Sequence, residues 1–342
     1  MDVSPLNYKL TFEPDLKKFT FAGLESISIN CKKSVNLITM NCAELKIKSC
    51  IVKSGKKIIK SYPKTNEKKE ELQIKLAEKI RGLCTVDLEF EGILNDRLLG
   101  FYRSRYEQNG KTKYLATTQF EAADARRAFP CWDEPEAKAT FEISIIADNQ
   151  FTAISNMPVK TKKKTGKTTL YNFQKTPLVS TYLIYLGVGE FEYLSGKAGK
   201  IQIRVVTTKG NTSKGKFSLE LGKKLLTSYE KYFGIKFPLP KLDLIAVPDF
   251  AAGAMENWGA ITFRETILLY DPKTSSTRTK QFIAEVISHE IAHMWFGNLV
   301  TMKWWNDLWL NESFATFMAT KFVDKFYPEW DLWNQFVEDA MN

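Results

Sequence analysis

Short runs of alternating apolar and polar residues fill about the first 195 positions. Ile27-Ser28-Ile29, Val86-Asp87-Leu88-Glu89-Phe90 and Phe141-Glu142-Ile143-Ser144-Ile145 are examples. Successive side chains of a strand point to opposite faces, so each run lines one face with apolar groups. Turn signals recur between the runs and predict an antiparallel sheet domain over residues 1–195. Two lysine-rich stretches, Lys53 to Lys69 and Lys160 to Lys167, are hydrophilic, and the second contains Gly166. Both are expected at hairpin tips.

The pattern changes from about residue 196. A strand-forming run at Ile201 to Thr207 precedes a helical period from about Phe217 to Phe233, and Leu242 to Val247 is again strand-like. A long helix is predicted next, capped by Ser275, Ser276 or Thr277 and ended by Gly297, with Phe282, Val286, His289 and His293 on one face. Beyond the connection Gly297 to Trp305 lies a second strongly apolar, helix-compatible run. These elements assign residues 196–342 to a second, mixed α and β domain. The aromatic residues Trp295, Phe296, Trp304, Trp305, Trp309, Phe314 and Phe317 fall at helical intervals and are expected to pack around the two helices.

Chemistry concentrates in the first of these helices. The only two histidines of the chain fall in the pentapeptide His289-Glu290-Ile291-Ala292-His293. A helix turns by about 100° per residue, so positions four apart stack on one face and two imidazoles can share one metal ion. Glu290 would stand beside that ion as a base. A catalytic zinc takes three protein ligands and leaves one position open. Cys31, Cys42, Cys50, Cys84 and Cys131 all lie far upstream without a C-x-x-C pair, whereas Glu312 follows His293 after 18 residues in the second apolar helix. His289, His293 and Glu312 are therefore the expected ligands of one zinc ion. Glu285 and Asn311 are candidates for orienting the imidazoles.

Overall composition narrows the class further. The 342 residues are 44% apolar, enough for about two domains with sizeable cores. The net charge of +10 comes largely from scattered lysines and no nucleic-acid motif accompanies it, so no nucleic-acid partner is expected. No signal peptide and no bilayer-length apolar run is found, so no membrane association is expected either. An odd number of cysteines without a framework suits a reducing interior, and a cytoplasmic location is expected.

The zinc motif, Glu312 and the segment Gly253-Ala254-Met255-Glu256-Asn257 together resemble the gluzincin zinc aminopeptidases, the aminopeptidase N or alanyl aminopeptidase family, including its tricorn-interacting and puromycin-sensitive types. Trp258 to Glu265 and Gln119 to Pro135 extend the resemblance over most of the chain. Taken alone, Glu256 reads as an acid in a glycine-rich turn and Glu121 as a surface charge beside Asp124, Arg126 and Arg127. The resemblance implies more. Glu256 and Glu121 would bind the free α-ammonium of a peptide, Gln119 would line the pocket for the first side chain, and Gly253, Ala254, Met255 and Asn257 would belong to the substrate-binding segment.

The implied fold is a large antiparallel β-sandwich followed by the first half of a thermolysin-like α+β zinc peptidase domain. The implied activity is hydrolysis of N-terminal residues from peptides by metal-activated water, with Glu290 as catalytic base. The resemblance also places a catalytic tyrosine downstream of residue 342, so a truncated enzyme with a missing C-terminal part is expected, and Tyr327 is read as a helix-end packing residue. Two alternatives accompany this reading. One is a fragment that binds peptides or a partner without cleaving them. The other is an epoxide hydrolase of the leukotriene A4 type, against which the Ala254 of the GAMEN segment argues.

Overall fold

The computed structural model describes residues 1–341, which divide into two compact units after Gly189. In the first unit a nine-stranded sheet runs in the order Val159–Thr165, Thr168–Phe173, Thr140–Asp148, Val3–Asp15, Thr20–Asn41, Glu71–Ile93, Lys46–Ser54, Lys57–Ile59, with Ser61–Asn66 also paired to Glu71–Ile93. All neighbours are antiparallel except Val3–Asp15 and Thr140–Asp148. A second, four-stranded antiparallel sheet contains Thr152–Ser155, Leu186–Gly189, Lys111–Gln119 and Gly100–Gln108. The alternation read from the sequence is the alternation of burial: in Thr140–Asp148 every second residue is buried. Phe101 of the smaller sheet meets Phe12 and Phe21 of the larger at 5.9 and 5.2 Å between ring centres. Such pairs add about 0.5–1.5 kcal/mol each beyond the area they bury.

The lysine-rich stretches are more ordered than hairpin tips. Val159–Thr165 is an edge strand with all seven residues exposed, and only the turn at Gly166 is a tip. Residues 53–69 likewise include the strands Lys57–Ile59 and Ser61–Asn66. Lysine on an exposed edge is compatible with strand pairing on one side while discouraging it on the other.

The second unit holds a five-stranded mixed sheet in the order Phe191–Ala198, Ile201–Thr208, Lys241–Val247, Ala260–Arg264, Ala254–Met255. Its start lies before the expected boundary at 195, because Phe191–Ala198 spans that boundary and pairs along its whole length with Ile201–Thr208. Lys241–Val247 is buried at all seven positions and parallel to both neighbours, as a central strand must be. Its Asp243 is neutralised by the Arg204 guanidinium at 2.5 and 2.6 Å and by Lys241 Nζ at 2.7 Å. Among the described residues four α-helices accompany the sheet: α1 (Lys216–Phe233), α2 (Thr277–His293), α3 (Leu308–Phe326) and α4 (Leu332–Met341). Gly234, left-handed at φ +67°, ends α1, and the Ser276 hydroxyl caps α2 by accepting from Thr279 N–H at 3.1 Å. No described helix is long and apolar enough to cross a membrane.

One inward position of the first unit breaks the apolar pattern. Glu25 is 3% exposed, and neither of its carboxylate oxygens has a hydrogen-bond partner among the described residues. Burial pushes its carboxyl well above the ordinary value of 4.5. A raised acid holds its proton longer in the folded than in the unfolded chain, so stability declines as pH rises above about 4.5. Glu25→Gln is expected to raise the urea midpoint at about pH 8 and to leave it nearly unchanged at about pH 4. An equal gain at both values would contradict this assignment.

Candidate metal centre

Helix α2 turns Ile283, Ile287 and Ile291 into the core, all fully buried. The histidines stand on an adjoining face one turn apart, with their Nε2 atoms 2.9 Å from each other. Helix α3 brings Glu312 opposite them. Its Oε2 lies 3.2 Å from His289 Nε2 and its Oε1 lies 3.6 Å from His293 Nε2. The buried Tyr229 of α1 fixes the two helices near this point: its hydroxyl lies 3.0 Å from the Ser288 carbonyl and 3.2 Å from that of Met318.

The donor geometry fits a metal ion. Tetrahedral ligands at bond lengths of about 2.0–2.1 Å are spaced about 3.3 Å apart, and the three donor separations bracket that value. His293 Nδ1 lies 2.9 Å from the carbonyl oxygen of Phe296. A carbonyl only accepts, so Nδ1 carries the hydrogen and Nε2 offers its lone pair to the shared point. Thr316 Oγ1 lies 3.3 Å from His289 Nδ1 and completes the second ring's support.

Electrostatics agree with the geometry. Burial disfavours a charged His293, yet the carboxylates of Glu256, Glu312 and Glu290 outweigh it and push the imidazole up to about 10. Burial, with help from the neighbouring His293, lowers His289, and burial would raise Glu312, but the two rings draw Glu312 far below the usual carboxylate range. The pocket is short of positive charge, which a divalent cation supplies.

Around these donors the second unit gathers further acids. Glu290 lies in α2 and is 6% exposed. Glu256 is 3% exposed, its Oε1 has no hydrogen-bond partner among the described residues, and a carboxylate oxygen of Glu256 comes within 4.8 Å of one of Glu312. Glu256 follows the short strand Ala254–Met255, which pairs with Ala260–Arg264 at the sheet edge. Gly253 accepts from Arg264 N–H at 2.9 Å, and Asn257 Nδ2 donates to Thr262 Oγ1 at 3.1 Å. Lys241 Nζ donates to the Gly259 carbonyl at 2.8 Å, so the charged cluster of the central strand holds the end of this segment. Gln119 and Glu121 belong to the first unit: Gln119 ends the strand Lys111–Gln119, and Glu121 lies in the turn that follows.

Comparison with known proteins bears on the whole chain. Residues 4–183 match the Peptidase M1 N-terminal domain, and residues 217–342 match the Peptidase family M1 domain. The chain belongs to the peptidase M1 family. It is 44% identical to Aminopeptidase M1 of Arabidopsis thaliana, with 98% of this chain and 39% of that relative aligned. It is also 44% identical to the puromycin-sensitive aminopeptidase of Caenorhabditis elegans, over 98% of this chain and 36% of the relative. Aminopeptidase 2, mitochondrial, of Saccharomyces cerevisiae is 44% identical, with 99% and 36% covered. This M1 chain thus spans less than two fifths of the length of these relatives.

Several details of the M1 site differ from the sequence reading. The Phe296 carbonyl and Thr316 Oγ1 lie beside the two imidazole Nδ1 atoms, whereas the amide of Asn311, one of the two candidates, donates to Met302 Sδ at 3.0 Å. Thr316 was discoverable, since it stands one helical turn after Glu312, but a backbone carbonyl leaves no mark in sequence. The histidine face of α2 is not its core face: Phe282 is 53% exposed, while Ile283, Ile287 and Ile291 are buried. Helix α2 ends at His293, four residues before Gly297. Of the aromatic group, Trp295 is buried and Phe296 packs against Phe314 with ring centres 3.8 Å apart, whereas Trp304, Trp309 and Phe317 are exposed. Tyr327 ends α3 and stacks on Trp330 at 4.1 Å, a packing role.

Gly297 has φ +130°, and a Cβ there would lie 3.2 Å from His293 Nδ1. Gly297→Ala therefore combines backbone strain with pressure on a candidate ligand ring. It is expected to cost about 1–3 kcal/mol in chemical denaturation and to weaken divalent-cation binding. Parent-like stability and affinity would refute the constraint.

Proposed function

We propose that this chain provides the metal centre and the amine-recognition acid of a zinc aminopeptidase, which removes N-terminal residues from peptides. The observation that carries the reading is the convergence of His289, His293 and Glu312 within 4.8 Å of one another, with buried Glu256 close to the same carboxylate. The donor set of two imidazoles and one carboxylate suits zinc. When bound, that ion would act as a Lewis acid that polarises a peptide carbonyl and acidifies water.

The chain's own residues supply the remaining chemistry. A carboxylate oxygen of Glu290 takes a proton from the attacking water and returns it to the departing amine nitrogen, serving first as base and then as acid. Glu256, with one buried oxygen awaiting a donor, binds the α-ammonium and so registers the first peptide bond against the metal. The strand Ala254–Met255 lies at the sheet edge, where an extended substrate can add as a further strand. Gln119 and Glu121 are assigned to the first side chain and to the ammonium, respectively, on the family resemblance. The named relatives are aminopeptidases, which supports a peptide substrate with a free N-terminus. Five free thiols fit a reducing compartment, and the cytoplasm is the proposed location.

The chain is expected to bind one zinc ion, and protein of the relatives' full length to release fluorophore from alanyl, leucyl or arginyl amides. A chelator should abolish release, and Glu290→Ala should lower kcat by about a hundredfold or more with zinc retained. Zinc-loaded protein of the relatives' full length that cleaves none of these amides would reject the peptidase reading. Glu256→Gln and Glu121→Gln should each raise KM for these amides, the signature of lost ammonium binding. Unchanged KM in both variants would remove the amine-recognition role.

A further inference from the structure

Asn298 lies in the turn after α2 and is fully buried. Its side-chain Nδ2 donates to the backbone carbonyl of Glu256 at 2.8 Å, across 42 residues of sequence. Its own backbone N–H donates to the carbonyl of the metal-ligand candidate His293 at 3.1 Å. One residue therefore grips the end of the metal helix with its main chain and the carrier of the amine-recognition carboxylate with its side chain.

We propose that Asn298 is a positioning residue that fixes Glu256 relative to the metal helix and thereby sets the selection of a free α-amine. The inference rests on the aminopeptidase reading above. Its physical basis is the geometry of a two-point substrate: the ammonium and the scissile carbonyl are a fixed few bonds apart, so the groups that bind them must keep a fixed separation. Glu256 stands at the end of a two-residue strand, and its neighbour Asn257 is held from the sheet through Thr262. The Asn298 amide is what joins the Glu256 backbone to the helix bearing the histidines, and a buried donor at this spot is costly to lose because the Glu256 carbonyl is left without it.

The test compares the zinc-loaded protein with Asn298→Leu, which keeps volume and removes the donor, and with Asn298→Ala. Both keep the backbone bond to His293. Calorimetric titration with L-leucinol and with N-acetyl-L-leucinol measures the preference for a free amine, and zinc content is measured alongside. The preference is expected to fall about tenfold in the variants, with one zinc per chain retained. Undiminished preference in the folded variants overturns the positioning role. So does a parallel loss of zinc affinity, which would mark Asn298 as support for the helix alone. If Asn298→Leu does not fold, Asn298→Ala carries the same comparison. A parent protein without any preference for the amine would instead overturn the underlying aminopeptidase reading.

Discussion

The second unit is organised by a shortage of positive charge. Glu256, Glu290 and Glu312 all act on His293, and two of those acids are buried, where negative charge is expensive. The two imidazole Nε2 atoms lie 2.9 Å apart, a separation that a cation or a proton between them would favour. Helix α2, helix α3 and the Glu256 segment make sense as supports for that arrangement.

The supports are stiff for identifiable reasons. Tyr229 ties α1 to the backbone of α2 beside His289 and to that of α3. Asp243, buried in the central strand, is matched by Arg204 and Lys241, and the lysine's remaining hydrogen-bonding capacity reaches Gly259 at the end of the Glu256 segment. Burial lowers this lysine to about 8, a sign of how far from water the cluster lies. A buried ion cluster of this kind contributes little net stability but penalises any other placement of its partners.

Much of the fold was legible because its periods are strong. Alternation in Thr140–Asp148 and the helical stripe of α1 follow from burial on one face, and both appear where the pattern places them. The boundary near 195 was displaced because strand pairing, which joins Phe191–Ala198 to Ile201–Thr208, has no local signal of which domain owns a strand. Glu25 was invisible as a core residue, since its charge argues for solvent wherever sequence alone is consulted.

The sequence by itself set His289 and His293 on one face of a helix, because a helix imposes their four-residue spacing whatever surrounds it, and it carried the motifs that resemble the zinc aminopeptidases. Tertiary structure decided everything that depends on groups distant along the chain. The approach of Glu312 to both rings, the carbonyl of Phe296 that selects the tautomer, and the Asn298 amide on Glu256 arise from how helices and sheet pack. Backbone carbonyls and through-space distances carry no residue-type signature, so only the folded chain reveals them.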